Sequence, residues 1–104
     1  MSKIIEAGTH GAKGAALVKA LQDHKPFRTG GALKGIACND GNTGMLRGPD
    51  LDRFYADANK IIFVVKSYVT PIAWVTEDGT VYHVAMSFTR TTSRHQSVVR
   101  MHLK

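Results

Sequence analysis

Cysteine is almost absent from this chain of 104 residues, in which Cys38 stands alone. A single cysteine excludes an intramolecular disulfide and favours a reducing compartment. Long apolar runs are also missing: no stretch approaches the roughly 18 residues of a membrane-spanning helix, and the N-terminus lacks the apolar segment of a signal peptide. We therefore expect a cytoplasmic protein that has no membrane partner.

Acidic residues are missing from the last 26 residues, 79–104, which nevertheless carry four bases: Arg90, Arg94, Arg100 and Lys104. The formal net charge is +6, and charge sums to +4 over residues 1–35, −2 over 36–83 and +4 over 84–104. A positive field attracts an anionic partner, although a solvated surface is the simpler explanation of a charged run. The basic end of the chain is therefore the first candidate for a binding surface.

Glycine is scarce in the second half of the chain, because nine of the ten glycines lie in residues 1–48. The length and the apolar content of 43% fit one folded domain that covers residues 1–104. Within it we expect residues 1–48 to form a glycine-rich portion of helix and loops. Residues 50–104 are expected to form a sheet with a C-terminal helix.

The glycine-rich portion contains one clear helical pattern, over residues 12–24, which Lys25-Pro26 stops. Residues 32–38 fit a strand, and Pro49-Asp50 fits the start of a short helix. The three aspartates of that helix, at positions 50, 52 and 57, are expected mainly to complement its dipole.

The second half predicts a sheet. Residues 60–68 are β-branched and aromatic and fit a central strand, and residues 72–76 and 80–86 fit a hairpin around a glycine-containing turn. Pro71 is expected at a strand start or a sheet edge, and Phe63, Tyr68 and Trp74 are expected in the core. We predict an α+β fold with an N-terminal helix, a mainly antiparallel sheet of three or four strands, and a C-terminal helix packed on the sheet.

The start of the last helix combines capping groups with basic groups. Ser93 is the predicted N-cap, because Ser93-x-x-Gln96 matches a capping box. The same segment also fits an anion or partner site, since free N–H groups at a helix start and neighbouring arginines attract negative charge. The predicted binding residues are Arg90, Thr91, Thr92, Ser93, Arg94, His95, Gln96 and Arg100. Capping and binding are compatible roles.

Two blocks of the second half resemble a known group of proteins. They are Ser67-Tyr68-x-Thr70-Pro71-Ile72-Ala73-Trp74 and Thr91-Thr92-Ser93-Arg94-His95-Gln96. The pattern is similar to a family of small uncharacterised proteins from phages that infect actinobacteria, including mycobacteriophages. This resemblance implies a phage-encoded protein, and it implies no particular activity, cofactor or catalytic residue.

Other chemistry has less support. Gly8, Gly11 and Gly14 precede or open the first helix, but their spacing is not that of a dinucleotide-binding turn, and no P-loop motif is present. The five histidines are scattered, and His95 and His102 lie two helical turns apart, so one metal ion would not easily bind both. We expect no metal, no cofactor and no catalytic residue.

We expect a non-enzymatic interaction protein, encoded by a phage, that acts on a host protein or nucleoprotein complex in the bacterial cytoplasm. The alternative is a small basic nucleic-acid-binding protein that contacts phosphates with little sequence specificity. A small enzyme that uses Cys38 and a histidine comes third, and it would require a deep pocket that joins them. Exposed sheet edges, expected from Pro71 and the hairpin, also suggest a homodimer.

Overall fold

A computed structural model describes residues 4–8 and 11–104 of the chain. Within these residues it contains three helices, α1 (Gly11–Asp23), α2 (Gly48–Asp57) and α3 (Arg90–His102). It also contains six strands: β1 (Ile5–Ala7), β2 (Phe27–Thr29), β3 (Leu33–Ile36), β4 (Ile61–Ser67), β5 (Thr70–Thr76) and β6 (Val81–His83). No helix of the described residues is long and apolar enough to cross a membrane. The predicted α+β class is confirmed.

The strands form one mixed sheet in sequence order, β1-β2-β3-β4-β5-β6. Every neighbouring pair is antiparallel except β1 and β2, which are parallel and are joined through α1. The prediction of three or four strands is therefore wrong. The missed strands β1 and β2 have three residues each, which is too short for a period-two pattern to be recognised.

α1 begins and ends close to its predicted bounds. Leu17, Ala20 and Leu21 are its buried residues. The helix ends where His24 takes the left-handed φ of 53°, and the backbone N–H of Lys25 donates to the carbonyl of Ala20. This pattern is a Schellman ending, which satisfies carbonyls of the last turn before the chain enters β2. Thr9 and His10, which belong to the glycine-containing sequence before α1, lie outside the described residues.

Two apolar clusters lie on opposite sides of the sheet. One contains Phe63 of β4 with Leu17 of α1 and Val99 of α3, and the other contains Trp74 of β5 with Phe54 of α2. Phe63 and Trp74 are both fully buried, as predicted. Because helices cover both faces, β4 is apolar at successive positions rather than alternating ones.

Polar groups of α2 fix the cluster that contains Trp74. The indole Nε1 of Trp74 donates to Asp57 at 2.9 Å. Asp50 is buried and accepts from the Tyr82 hydroxyl at 2.6 Å and from the backbone N–H groups of Ala85 and Met86. Burial, together with the Asp50 carboxylate, raises the pKa of Tyr82 to about 12, so the phenol keeps its proton. These contacts give Asp50 and Asp57 tertiary roles beyond the predicted dipole effect.

Pro71 is the second residue of β5, an inner strand, so it marks a strand start and not a sheet edge. It pairs with Lys66 where the register between β4 and β5 shifts, and this irregularity accommodates a residue that has no N–H to donate. Pro71 therefore does not indicate an exposed sheet edge and gives no support to the homodimer hypothesis. The described edge strands, β1 and β6, have three residues each.

Candidate binding site at the start of the C-terminal helix

In the tertiary structure the two sequence blocks, which begin at Ser67 and Thr91, are joined by hydrogen bonds of the Ser67 side chain. Ser67, the last residue of β4, has its Oγ 3.0 Å from Thr92 Oγ1 and 2.8 Å from His95 Nδ1. Ser67 and Thr92 are buried, and His95 is half-buried. Burial lowers the pKa of His95, which favours a neutral imidazole at pH 7. Ser67 therefore fixes the orientation of a neutral histidine side chain.

A cavity of about 400 Å³ opens beside this histidine. β1, β2 and β4 run in the same direction, and residues at or just after their carboxyl ends line it together with the first turns of α3. In open sheets that contain parallel strands, this edge is where ligands commonly bind. The lining includes Gly8, Gly30, Gly31, Tyr68, Thr91 and His95, and no Asp or Glu of the described residues belongs to it.

The contact between Ser67 and His95 has the length of a nucleophile–base pair, but its burial argues against that chemistry. Ser67 is only 1% exposed, so a substrate carbonyl or phosphorus atom would not reach its Oγ. Cys38 is exposed and does not line the cavity. Neither Ser67 nor Cys38 is therefore placed to act as a nucleophile in this cavity.

The cap of α3 differs from the prediction. Thr89 is the N-cap, and its Oγ1 accepts from the backbone N–H of Thr92 at 3.3 Å. Ser93 lies one turn inside the helix, where its backbone carbonyl accepts from the Ser97 hydroxyl. The prediction of Ser93 as N-cap is wrong because Thr89-x-x-Thr92 starts the helix four residues earlier, and the local capping-box pattern does not reveal the competing threonine.

Gln96 and Arg100 face the sheet side of α3 rather than a capping position. Gln96 is buried, and its Nε2 donates to the carbonyls of Val84 and Met86, both at 3.1 Å. Arg100 donates from Nη2 to the Val84 carbonyl at 2.8 Å. Both side chains thus satisfy backbone acceptors after β6, where the sheet ladder has ended. The buried residues of α3 are Thr92, Gln96 and Val99.

Arg90 and Arg94 have different surroundings from Arg100. Both side chains are exposed, and among the described residues no carboxylate forms an ion pair with either. They are four residues apart in α3, so they project from the same side of the helix. Arg94 follows Thr91, which lines the cavity, by three residues, so these two side chains are neighbours on the surface of α3.

Tyr68 corrects another expectation, because it is not a core residue. It is 57% exposed, and Val69 beside it is 52% exposed, in the tight turn between β4 and β5. Tyr68 has the left-handed φ of 58°, which is uncommon for a residue other than glycine, asparagine or aspartate. The turn therefore presents an aromatic ring at the cavity edge. Sequence patterns missed it because the turn has no glycine, asparagine or aspartate.

The described residues contain no group of three or more His, Cys, Asp or Glu side chains that could hold a metal ion. His83 and His24 instead contact the C-terminal end of the chain, through the carbonyls of Leu103 and Lys104. His24, His83 and His95 are thus engaged in three separate structural contacts.

Comparison with known proteins identifies a family without an assigned activity. A search of curated proteins and a search of solved structures both find no match to the chain. One family model, described as a family of unknown function (DUF8033), matches residues 8–100 and therefore spans both sequence blocks and the cavity. The chain belongs to this family, DUF8033.

Proposed function

We propose that the chain is a non-enzymatic interaction protein that binds an acidic segment of a partner protein. The binding surface, which we call the α3 face, comprises Tyr68, Val69, Arg90, Thr91 and Arg94. The observation that carries the proposal is the exposed Tyr68 ring, held at the cavity edge beside a helix with two arginines that no described carboxylate pairs.

The side chains of the α3 face suit a protein interface. Tyrosine and arginine are enriched among the residues that contribute most to binding, and an arginine fork can hold a carboxylate with two hydrogen bonds. A backbone conformation as uncommon as that of Tyr68 persists only where the surrounding structure enforces it. Here the Tyr68 N–H donates to the Ala32 carbonyl at 2.9 Å, which ties the turn to the start of β3.

The resemblance to actinobacteriophage proteins supports the finer part of the proposal. A phage-encoded protein of this kind would meet its partner, a host protein or nucleoprotein complex, in the bacterial cytoplasm. The formal charge of +6 would accelerate the encounter with an acidic partner surface.

The test is capture from a nuclease-treated lysate of an actinobacterial host on the immobilised chain. We expect one host protein to be retained stoichiometrically by the native chain and to be absent from an Arg90→Gln/Arg94→Gln variant. A matched control, Lys25→Gln/Lys60→Gln, removes two exposed charges elsewhere and should retain the protein. Retention by the arginine variant would reject the α3 face as the binding surface.

Of the single variants, Arg94→Gln should weaken binding more than Arg100→Gln, since Arg100 is engaged by the Val84 carbonyl. A variant that also replaces Arg100 is a poorer test, because it removes one of the two side-chain donors, Gln96 and Arg100, to the Val84 carbonyl.

Nucleic acid is the second candidate, favoured by the same exposed Tyr68 ring. An aromatic ring that stacks on a base and arginines that bind phosphates are the usual components of single-strand binding. Salt dependence separates the two candidates. Binding to nucleic acid should weaken steeply with salt, and the slope should become shallower by about 0.7 for each phosphate that the arginine variant no longer binds on a single strand. Disappearance of all captured material after nuclease treatment would reverse the ranking.

A further inference from the structure

We propose that the cavity beside His95 binds a small phosphate monoester, with His95 Nε2–H as a hydrogen-bond donor to the phosphate. This site shares Tyr68 and Thr91 with the α3 face, but it has a different ligand and would remain if the partner-protein proposal failed. The inference begins from the direction of the hydrogen bonds that lead to the histidine.

Hydroxyl groups form a chain whose direction can be deduced. Thr89 donates its hydroxyl proton to Thr92 Oγ1 at 3.2 Å. In the contact between Thr92 and Ser67, at 3.0 Å, either hydroxyl can donate, but only donation by Thr92 gives its proton an acceptor among the described contacts. Ser67 has one hydroxyl proton, and its remaining partner is His95 Nδ1 at 2.8 Å. We infer that Nδ1 of His95 is the acceptor at the end of this chain.

A neutral imidazole that accepts at Nδ1 carries its proton on Nε2. Among the described residues, Nδ1 is the only ring nitrogen of His95 that has a hydrogen-bond partner, and the ring lines the cavity. The Nε2–H group is thus the nitrogen left to donate to a ligand. It requires no change of charge, since burial keeps the imidazole neutral at pH 7.

The rest of the cavity wall suits an oxyanion attached to an apolar group. Thr91 adds a hydroxyl, and no described Asp or Glu in the lining would repel a phosphate. Leu33 and the Tyr68 ring provide apolar surface for the remainder of the ligand. A volume of about 400 Å³ exceeds the needs of a bare phosphate and lies within the range of small-molecule sites.

Gly30 offers a way to fill the cavity without disturbing the fold. A Cβ built at Gly30 meets no atom within 4 Å, and the residue has no left-handed φ that would oppose a side chain. Gly30→Val should therefore fold normally and occupy part of the cavity. Ala37→Val is the matched control, because Ala37 is exposed in the segment after β3 and does not line the cavity.

The experiment is an NMR titration of the ¹⁵N-labelled chain with phenyl phosphate at constant ionic strength. We expect saturable shifts at Gly30, Gly31, Thr91 and His95, with a dissociation constant of about 1 mM, as is ordinary for a ligand of this size. Gly30→Val and His95→Gln should each weaken binding about tenfold, and Ala37→Val should not. Inorganic phosphate should bind more weakly at the same residues, because it lacks the apolar group.

Several results would overturn the proposal. Absence of saturable shifts at about 20 mM phenyl phosphate would reject the site. Benzoate binding as tightly as phenyl phosphate would reject the assignment to phosphate, and unchanged affinity in Gly30→Val would place any binding outside the cavity. Long-range ¹H–¹⁵N spectra of the native chain give an independent check that needs no variant: the Nε2–H tautomer supports the proposal, and the Nδ1–H tautomer contradicts it.

Discussion

Among the described residues, buried side-chain polar atoms have hydrogen-bond partners, with the exception of Nδ1 of His83, and Trp74 illustrates the pairing. Its ring is fully buried, stacks on Tyr82 with centroids 4.8 Å apart, and meets Phe54 edge-on at 5.0 Å. Its Nε1–H donates to Asp57, whose carboxylate also pairs with Arg53 at 2.9 Å. The Trp74 side chain therefore contributes both to the packing of its apolar cluster and to a hydrogen bond with α2.

Trp74→Ala should lower the free energy of unfolding by about 3 to 5 kcal/mol, because it leaves a cavity and removes the hydrogen-bond donor to Asp57. Urea unfolding followed by circular dichroism measures the change. Tyr55→Ala, at a 63% exposed position of α2, should change it by less than about 0.5 kcal/mol. A Trp74→Ala variant as stable as the native chain would contradict the core position of this residue.

Side-chain hydrogen bonds fix the residue at which α3 begins. Thr89 caps the helix, and the Thr92 hydroxyl links that cap to Ser67 at the end of β4. Gln96 and Arg100 then bind the carbonyls that follow β6. Side chains of α3 thus donate hydrogen bonds to the backbone carbonyls of Val84 and Met86, which follow β6.

Thr89→Ala should destabilise the protein by about 1 kcal/mol through loss of the cap, whereas Ser93→Ala should change the free energy of unfolding by only a few tenths. Thr89→Ser preserves the capping oxygen and should restore most of the stability. Thermal and urea unfolding of the three variants measure these differences. A larger loss for Ser93→Ala than for Thr89→Ala would show that the helix begins at Ser93 after all.

At the scale of the whole molecule, histidines connect the C-terminal end of the chain to the rest. His83 of β6 has its Nε2 3.0 Å from the Leu103 carbonyl, and its buried Nδ1 has no partner among the described residues. Burial lowers the pKa of His83, the nearby Arg100 charge acts in the same direction, and the Leu103 carbonyl opposes them. The pKa of His95 is also lowered by burial.

These shifts predict a loss of stability in mild acid. A folded-state pKa below the unfolded value of about 6.5 means that the unfolded chain binds protons more readily. The histidine contribution is therefore complete above about pH 6.5 and is lost as the pH falls through the folded-state values. Urea unfolding between pH 7 and pH 5 should show this decrease, and His83→Gln/His95→Gln should flatten it. An equally steep profile in that variant would assign the decrease to other groups.

Much of the fold was predictable wherever its structure is local. A few neighbouring residues were enough to predict the apolar strand β4, the hairpin around Gly79, the end of α1 before Pro26 and the start of α2 near Pro49. The α+β class, the burial of Phe63 and Trp74, and the approximate bounds of α1 were correct for this reason. The roles proposed for Arg90 and Arg94 remain predictions.

The rest was decided by tertiary contacts. β1 and β2 are strands because they pair with each other and with β3 at one end of the sheet. Each has only three residues, which is too short for a sequence pattern to indicate a strand. Ser67 could not be recognised as the partner of Thr92 and His95 from sequence, since about 25 residues and a hairpin separate them. By itself the sequence determined the class of fold, the charge and the apolar segments, which depend on composition and short-range order. Only the tertiary structure placed Gly30, Tyr68 and His95 around one cavity, because a cavity is made by residues that are distant in the chain.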